Sequence, residues 1–380
     1  MPDGRPVRIL HAHSTFALGG KEARAVRLMN AFGEAAEHVI LNATDQWGAM
    51  DAVAPGIAVT RAKDAPSLTG RPGLGRYRKL ARYMRGFDLV LTYNWGAMDA
   101  VAARRLLGGP PLVHHEDGFN EDEAARRKPL RNRFRRLALP AAHRLVVPSE
   151  RLAAIATAEW RQPAGRLVRI PNGIDLVRFQ HPPSRPILGL DKREGDVIVG
   201  TVAGLRAVKN LPRLVANFMA TVDMQSDTRL VIVGEGPDRG AIEDSISIWA
   251  GEDHVLLAGF LPKPHEWIGH FDIFALNSHS EQAPISLIEA MAAGLPVVST
   301  DVGDIAHMVS EENRFAIGDE EVLRSALARF IDDPALRRHV GAANRATALA
   351  NYDERDMIAR YARLYGEAIG RPEAFGAPRL

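Results

Sequence analysis

The sequence predicts an α/β protein of two domains, each an open parallel sheet with helices on both faces. Three observations carry that prediction. Short apolar runs alternate with helix-period patterns along nearly the whole chain, the pattern of a parallel sheet built from crossover units. A proline-rich stretch, Gln180-His181-Pro182-Pro183-Ser184-Arg185-Pro186, separates two such sets and reads as linker. At 380 residues, two domains of under about 200 residues fit better than one large one.

VRILHAHS (7–14) opens the chain as a buried strand and breaks into Phe16-Ala17-Leu18-Gly19-Gly20. A helix pattern follows, with Ala25, Leu28, Met29 and Phe32 on one face. Further strands read at 38–44, 88–94, 111–119 and 143–149, with helices at 74–85, 97–107 and 129–142. The second set has strands at 196–203, 229–236, 254–260, 271–278 and 296–300. Both halves are Rossmann-like. The expected boundaries are 1–172 for the first domain, 173–190 for the linker and 191–354 for the second domain. The terminal helical pattern near 353–369 suggests that 355–380 packs back on the first domain.

Composition excludes several chemistries. There is no cysteine, so disulfides, thiolate zinc sites and cysteine nucleophiles are ruled out, which agrees with a reducing cytoplasm. MPDGRPVRILHAHS lacks the apolar core of a signal peptide, and no apolar run reaches 18 residues. A cytoplasmic protein is expected. Charge is divided unevenly: residues 1–170 hold 27 Lys+Arg against 16 Asp+Glu, and the remainder holds 21 against 30. An anionic partner is therefore expected for the first half alone.

The most informative stretch runs from Ser280 to Met291 and on through AAGLPVVSTDVGD. It reads as strand, acidic loop, helix, glycine stop, strand. Pro284 suits a first helical turn, and Gly294 with Pro296 suits the stop. Glu281 and Glu289 then flank a helix N-terminus at the carboxyl end of a strand, where open α/β sheets bind ligands. Gly19-Gly20 repeats the strand, Gly-rich turn, helix layout that brings backbone N–H groups to a phosphate. It is not a P-loop, whose first glycine and hydroxyl would replace Thr15 and Glu22. Gly73-Leu74-Gly75 fails the dinucleotide fingerprint at Arg78.

Two basic helices lie in the first half. One has Arg76, Lys79 and Arg82 around a stripe of Leu74, Tyr77, Leu80 and Met84. The other has Arg127, Lys128, Arg131 and Arg135 around Leu130, Phe134 and Leu137. A solvated face is the ordinary reading of each alone. Together they favour contact with an anionic membrane surface, at about 1 kcal/mol per basic residue at best. Nucleic acid is not expected, because no recognition motif accompanies the charge. His11 and His13 share a strand face, but two ligands make no metal site and a satisfied histidine pair is the expectation.

These pieces, in this order, resemble family 4 of the nucleotide-sugar glycosyltransferases, which have the GT-B fold of two Rossmann-like domains facing each other across a cleft. The resemblance rests on Gly19-Gly20, Pro171-Asn172-Gly173-Ile174-Asp175, Gly204-Leu205-Arg206-Ala207-Val208-Lys209-Asn210, Ile232-Val233-Gly234-Glu235-Gly236-Pro237, Gly259-Phe260, and the Glu281 to Glu289 segment continuing to Gly303. It implies a catalytic set of Arg206, Lys209 and Glu281 with Asp117 or His115. Arg206 and Lys209 match the phosphate-binding cations, Glu289 the ribose contact and Glu281 the sugar contact. Gly19, Gly20, Gly234, Phe260, Leu261, Gln282, Ala283, Pro284 and Ile285 complete the implied donor site. Gln282 departs from the family's glycine, so the donor sugar is not carried over. A histidine normally lies beside donor sugar and acceptor; counting from the strand end selects His115, counting back from Gly118-Phe119 selects Asp117, and Asp117 is preferred.

The resemblance implies retaining transfer of a hexosyl group to an acceptor hydroxyl, with no cofactor and no metal. The chain indeed contains no Asp-x-Asp pair. The basic first half suggests a lipid-linked or membrane-borne saccharide acceptor in cell-envelope glycan or glycolipid synthesis, at the inner membrane face. The alternatives are a nucleotide-sugar epimerase of the same fold and a catalytically silent nucleotide-sugar-binding protein.

Overall fold

A computed structural model describes residues 5–376 except 18, 71–72, 120–122, 124–125 and 224. The chain divides into two compact units, Met1–Asn172 with Arg355–Leu380, and Gly173–Glu354.

The first unit carries a parallel sheet of β1 (Val7–His13), β2 (Ala36–Asn42), β3 (Val59–Arg61), β4 (Leu89–Tyr93), β5 (Leu112–His115), β6 (Arg144–Val147) and β7 (Leu167–Arg169). Their spatial order is β3-β2-β1-β4-β5-β6-β7, so β1 is central and the order reverses between β1 and β4. Around it lie α1 (Gly20–Phe32), α2 (Leu74–Met84), α3 (Met98–Leu107), α4 (Pro129–Ala138) and α5 (Glu150–Ala158). Alternation along β1 feeds two cores. Val7 and Ile9 pack against α1, whereas Leu10 and Ala12 pack against α2 and α3. Burying Val7, Ile9 or Leu10 fully stabilises by about 1.5–3 kcal/mol each.

The second unit carries β8 (Val197–Val202), β9 (Thr228–Val233), β10 (Val255–Gly259), β11 (Ile273–Leu276), β12 (Val297–Thr300) and β13 (Ile317–Gly318), also parallel, in the order β10-β9-β8-β11-β12-β13. Its helices are α6 (Leu211–Met219), α7 (Arg239–Ile248), α8 (Ile285–Ala292), α9 (Ile305–Met308), α10 (Glu320–Asp332) and α11 (Pro334–Asn351). The terminal helix α12 (Glu354–Ala368) puts Met357, Ile358, Tyr361 and Tyr365 into the first unit's core beside α1. The stretch 173–190, read as linker, is packed: Ile174, Leu176, Phe179 and Ile187 enter the second unit's core.

Several elements differ from their sequence readings for local reasons. β3, β7 and β13 are two or three residues long, too short to show a period. β5 stops at His115, so 116–119 is loop rather than strand. α4 ends at Ala138, and the turn Leu139–Ala141 contains the proline that stops it.

Candidate functional site

In the second unit the crevice at the reversal point lies between β8 and β11, at their carboxyl ends. The loop after β8 is pinned to the loop after β9: Leu205 N donates to Glu235 O at 3.0 Å and Asp238 N to Leu205 O at 3.0 Å. That approach requires Gly234, whose φ is +146° and whose added Cβ would stand 1.8 Å from Ala203 O. Arg206 is exposed at the entry to the turn Ala207–Lys209. His279 N donates to Val208 O at 2.8 Å, tying this turn to the loop after β11.

Lys209 Nζ lies 2.5 Å from Glu281 Oε1, and Ser278 Oγ donates to the same oxygen at 2.8 Å. Ser278 O in turn accepts from Thr300 Oγ1 at 2.9 Å. The Glu281 side chain is 9% exposed, so its carboxylate is held rather than free to search. Gly303, at φ +62°, lets the loop after β12 close on Glu281, since a Cβ there would stand 2.4 Å from Glu281 O. Asp304 N donates to Gln282 O at 3.0 Å. Gln282, Ala283 and Pro284 lead half-buried into α8, where Ile285 is the first residue and Glu289 is half-buried one turn on. Phe260, 60% exposed, and Leu261 follow β10, two strands from β8, and Leu261 packs against the same core as Ala283 and Ile285.

In the first unit, Gly19 caps α1 and Gly20 starts it. Arg24, on the second turn of α1 and 3% exposed, reaches Asp117 with both terminal nitrogens, at 2.5 and 2.9 Å, and Asn172 Oδ1 at 3.2 Å. Asp117 N donates to Asn94 Oδ1 at 2.7 Å. Burial pushes the Asp117 carboxyl up, but the Arg24 guanidinium outweighs it and holds the group below the usual carboxylate range. Asp117 is therefore an anion with both oxygens engaged. Lys21 and Glu22 pair nearby, and burial pushes the Glu22 carboxyl up against that pull.

His115 is committed to the core. Its Nδ1 lies 3.2 Å from Thr92 O, a carbonyl that can only accept, so Nδ1 carries the proton and Nε2 accepts from Tyr365 O–H at 2.7 Å. Burial, then Arg24, lowers its pKa to about 3. His11 is satisfied by Tyr93 O–H and His38, but His13 is not a satisfied partner: it is fully buried against Tyr93 and Phe16, and among the described residues neither ring nitrogen is bonded.

The basic helices need correction. Arg135, read as a membrane contact, is 0% exposed; it pairs with Glu116 at 3.4 Å and Glu123 at 3.2 Å among the rings of Trp95, Phe119 and Trp160. Arg131 joins it on Glu123 at 2.9 Å and stacks on Trp95. Arg127 pairs with Glu159, and Arg76 with Asp99 at 2.7 Å. Two carboxylates and three rings turn Arg131 and Arg135 of α4 inward, while Arg133 and Arg136 stay exposed and Leu130 (81%) and Leu137 (64%) stand in solvent. Lys79, Arg82 and Lys128 remain exposed.

Sequence reasoning missed Arg24, Ser278, Asn94 and the Glu116–Glu123–Arg135 cluster. Arg24 had a signal: it shares a helix face with Leu28, a charge on an apolar stripe.

Two family models match the chain, "Glycosyltransferase Family 4" over residues 18–178 and "Glycosyl transferases group 1" over residues 189–347. The chain is 28% identical over 259 residues to the 2-deoxystreptamine glucosyltransferase of Streptomyces kanamyceticus, covering 63% of this chain and 66% of that protein. It is 29% identical over 208 residues to the lipopolysaccharide core biosynthesis mannosyltransferase LpsB of Rhizobium meliloti, covering 51% and 58%. The chain thus spans between half and two thirds of the length of these curated relatives. Among solved structures, HepE from Anabaena in complex with UDP superposes with a TM-score of 0.75 at 17% identity, covering 95% of this chain and 100% of that one. That likeness bears on the fold.

Proposed function

Because the chain belongs to the family 4 glycosyltransferases of GT-B fold, we propose that it is a retaining hexosyltransferase. It moves a sugar from a nucleoside-diphosphate donor to a hydroxyl of a lipid-linked or membrane-borne saccharide in cell-envelope glycan or glycolipid synthesis. The observation that carries this reading is the Lys209–Glu281 pair beside exposed Arg206 at the β8/β11 reversal point. A cation for a diphosphate and a fixed carboxylate for sugar hydroxyls meet there.

The bond from the anomeric carbon to the diphosphate oxygen breaks and leaves charge on the departing phosphate. Arg206, as a bidentate fork, and Lys209, as a point charge, stabilise that charge where a metal would serve in an Asp-x-Asp enzyme. The acceptor oxygen bonds to the anomeric carbon on the face the phosphate leaves, and its proton passes to that phosphate. Glu281 holds donor sugar hydroxyls and favours positive charge at the anomeric carbon; Glu289 takes the ribose hydroxyls. Gln282 lines the sugar side and sets donor choice. In the first unit, Asp117 binds an acceptor hydroxyl as a fixed anion, since a carboxylate with a low pKa makes a poor base.

The acceptor class is supported by the basic first half, by exposed Lys79 and Arg82 on α2, and by exposed Lys128, Leu130 and Leu137 at α4. LpsB, a lipopolysaccharide core enzyme, fits the same class. Peripheral binding at the inner membrane face follows, and weakens with salt. No described helix is long and apolar enough to cross a membrane.

A thermal-shift panel of UDP-, GDP- and ADP-sugars tests the donor reading, starting with uridine because HepE is described with UDP. A true donor raises the melting temperature with concentration by mass action. Failure of every nucleotide sugar to do so would remove the reading.

A further inference from the structure

A cavity of about 450 Å³ opens at the amino edge of the first unit's sheet. It is lined by Arg104 and Arg105 from the last turn of α3, Leu112 at the start of β5, His143 and Arg144 at the start of β6, and Arg166 just before β7. Asp117 follows the opposite end of β5, roughly 15 Å away at the rise of a strand.

Among the described residues no carboxylate lines the cavity itself, and Glu367 is the acidic group that acts on His143. Among the described residues none of the four arginines has a carboxylate partner, and three of them bond only carbonyl oxygens: Arg104 to Pro110, Arg144 to His143, Arg166 to Pro140. The arginines Arg127, Arg131 and Arg135 of the α4 region, by contrast, all face carboxylates. His143 Nε2 is buried with no hydrogen-bond partner among the described residues. Cations at a helix C-terminus complement its dipole, which accounts for Arg104 and Arg105 but not for Arg144, Arg166 or the orphaned imidazole. Clustered like charges repel, and an anion among them would relieve that.

We propose that this cavity is a second anion site, taking a phosphate-bearing ligand, either a free diphosphate or the headgroup of a phospholipid. Arginine forks match phosphoryl oxygens, and the volume lies within the range of small-molecule sites. The site is separate from the donor crevice of the second unit and does not rest on the function proposed for it.

The probe is inorganic pyrophosphate, titrated calorimetrically into the full chain carrying Arg206→Ala and Lys209→Ala, so that the second unit's cations do not contribute. Pyrophosphate binds, and adding Arg144→Gln with Arg166→Gln weakens it at least ten-fold. The corresponding lysine pair, which keeps charge but loses the fork, weakens it less. His143 gives an independent readout. Burial and Arg144 hold its pKa low, Glu367 pulls it up, and Arg166 pushes it down again; bound pyrophosphate moves it upward in NMR titration. A second arm floats the same proteins on phosphatidylcholine vesicles with and without phosphatidic acid. Variant-sensitive pyrophosphate binding assigns a free anion, and variant-sensitive flotation assigns a headgroup. Absent or variant-insensitive binding in both arms overturns the proposal.

Discussion

Replacing Arg24 with Met tests how the acceptor-side carboxylate is held. Arg24 is 3% exposed, and its two nitrogens lie 2.5 and 2.9 Å from the Asp117 oxygens. Two charges centred about 4 Å apart attract by about 4 kcal/mol at an effective dielectric near 20. Removing one partner of a buried pair costs about 3–5 kcal/mol, because the other stays desolvated. Arg24→Met leaves burial of Asp117 opposed only by the weaker pull of His115 and Lys21, so its carboxyl pKa moves upward. Asp117→Asn strands Arg24 instead, with Asn172 as a remaining contact. The double variant loses both charges and costs less than the two singles summed. The chain has two units, so global unfolding is not two-state. Hydrogen exchange of the β1 and β5 amides reports the first unit directly. Asp117 is titrated by carboxyl NMR. An Arg24→Met variant within about 1 kcal/mol of wild type, additive with Asp117→Asn and with an unmoved Asp117 pKa, would refute the reasoning.

Arg135→Ala costs about 3–5 kcal/mol in the first unit by taking the arginine from buried Glu116 and leaving Glu123 with Arg131 alone, whereas exposed Arg82→Ala stays within about 0.5 kcal/mol; hydrogen exchange of the first unit's amides compares them. Gly234→Ala forces a Cβ into Ala203 O, at 1.8 Å before relaxation, and abolishes nucleotide-sugar binding measured by thermal shift. Acidification weakens the first unit: His38, lowered to about 4 by burial, and His115, lowered to about 3, stay neutral when folded but protonate near pH 6.5 when unfolded. Their contribution is full above pH 6.5 and is lost as pH falls towards 4 and then 3, by about 1.4 kcal/mol per unit for each histidine. Melting curves at pH 7.5 and 5.5 show the loss, and His38→Asn flattens it by about one proton.

The two sheets were legible because their central strands are short, mostly apolar runs that alternate with helix-period patterns, as in Val197–Val202 or Leu89–Tyr93. The helix after Glu281 was legible from its glycine stop. What the sequence hides is pairing across distance. Lys209 and Glu281 are 72 residues apart, and nothing in either motif says that one bonds the other. Arg24 and Asp117 are 93 apart. The α4 helix misleads in a physical way: helical spacing gives two candidate faces, and which one is buried depends on Glu116, Glu123, Trp95 and Trp160, all contributed from elsewhere. The packing of 173–190 is similar, because Ile174, Leu176 and Phe179 are too sparse to show a period beside the prolines.

The central claim is sugar transfer driven by Arg206 and Lys209 without a metal. NMR of the glycosylated product, formed in excess EDTA by wild type and by Lys209→Ala, tests it most directly. The account predicts release of nucleoside diphosphate, the donor's own anomeric configuration in the product, and a loss of turnover by Lys209→Ala of about 100-fold or more. An inverted product, activity abolished by EDTA, or a Lys209→Ala rate within a few-fold of wild type would contradict it.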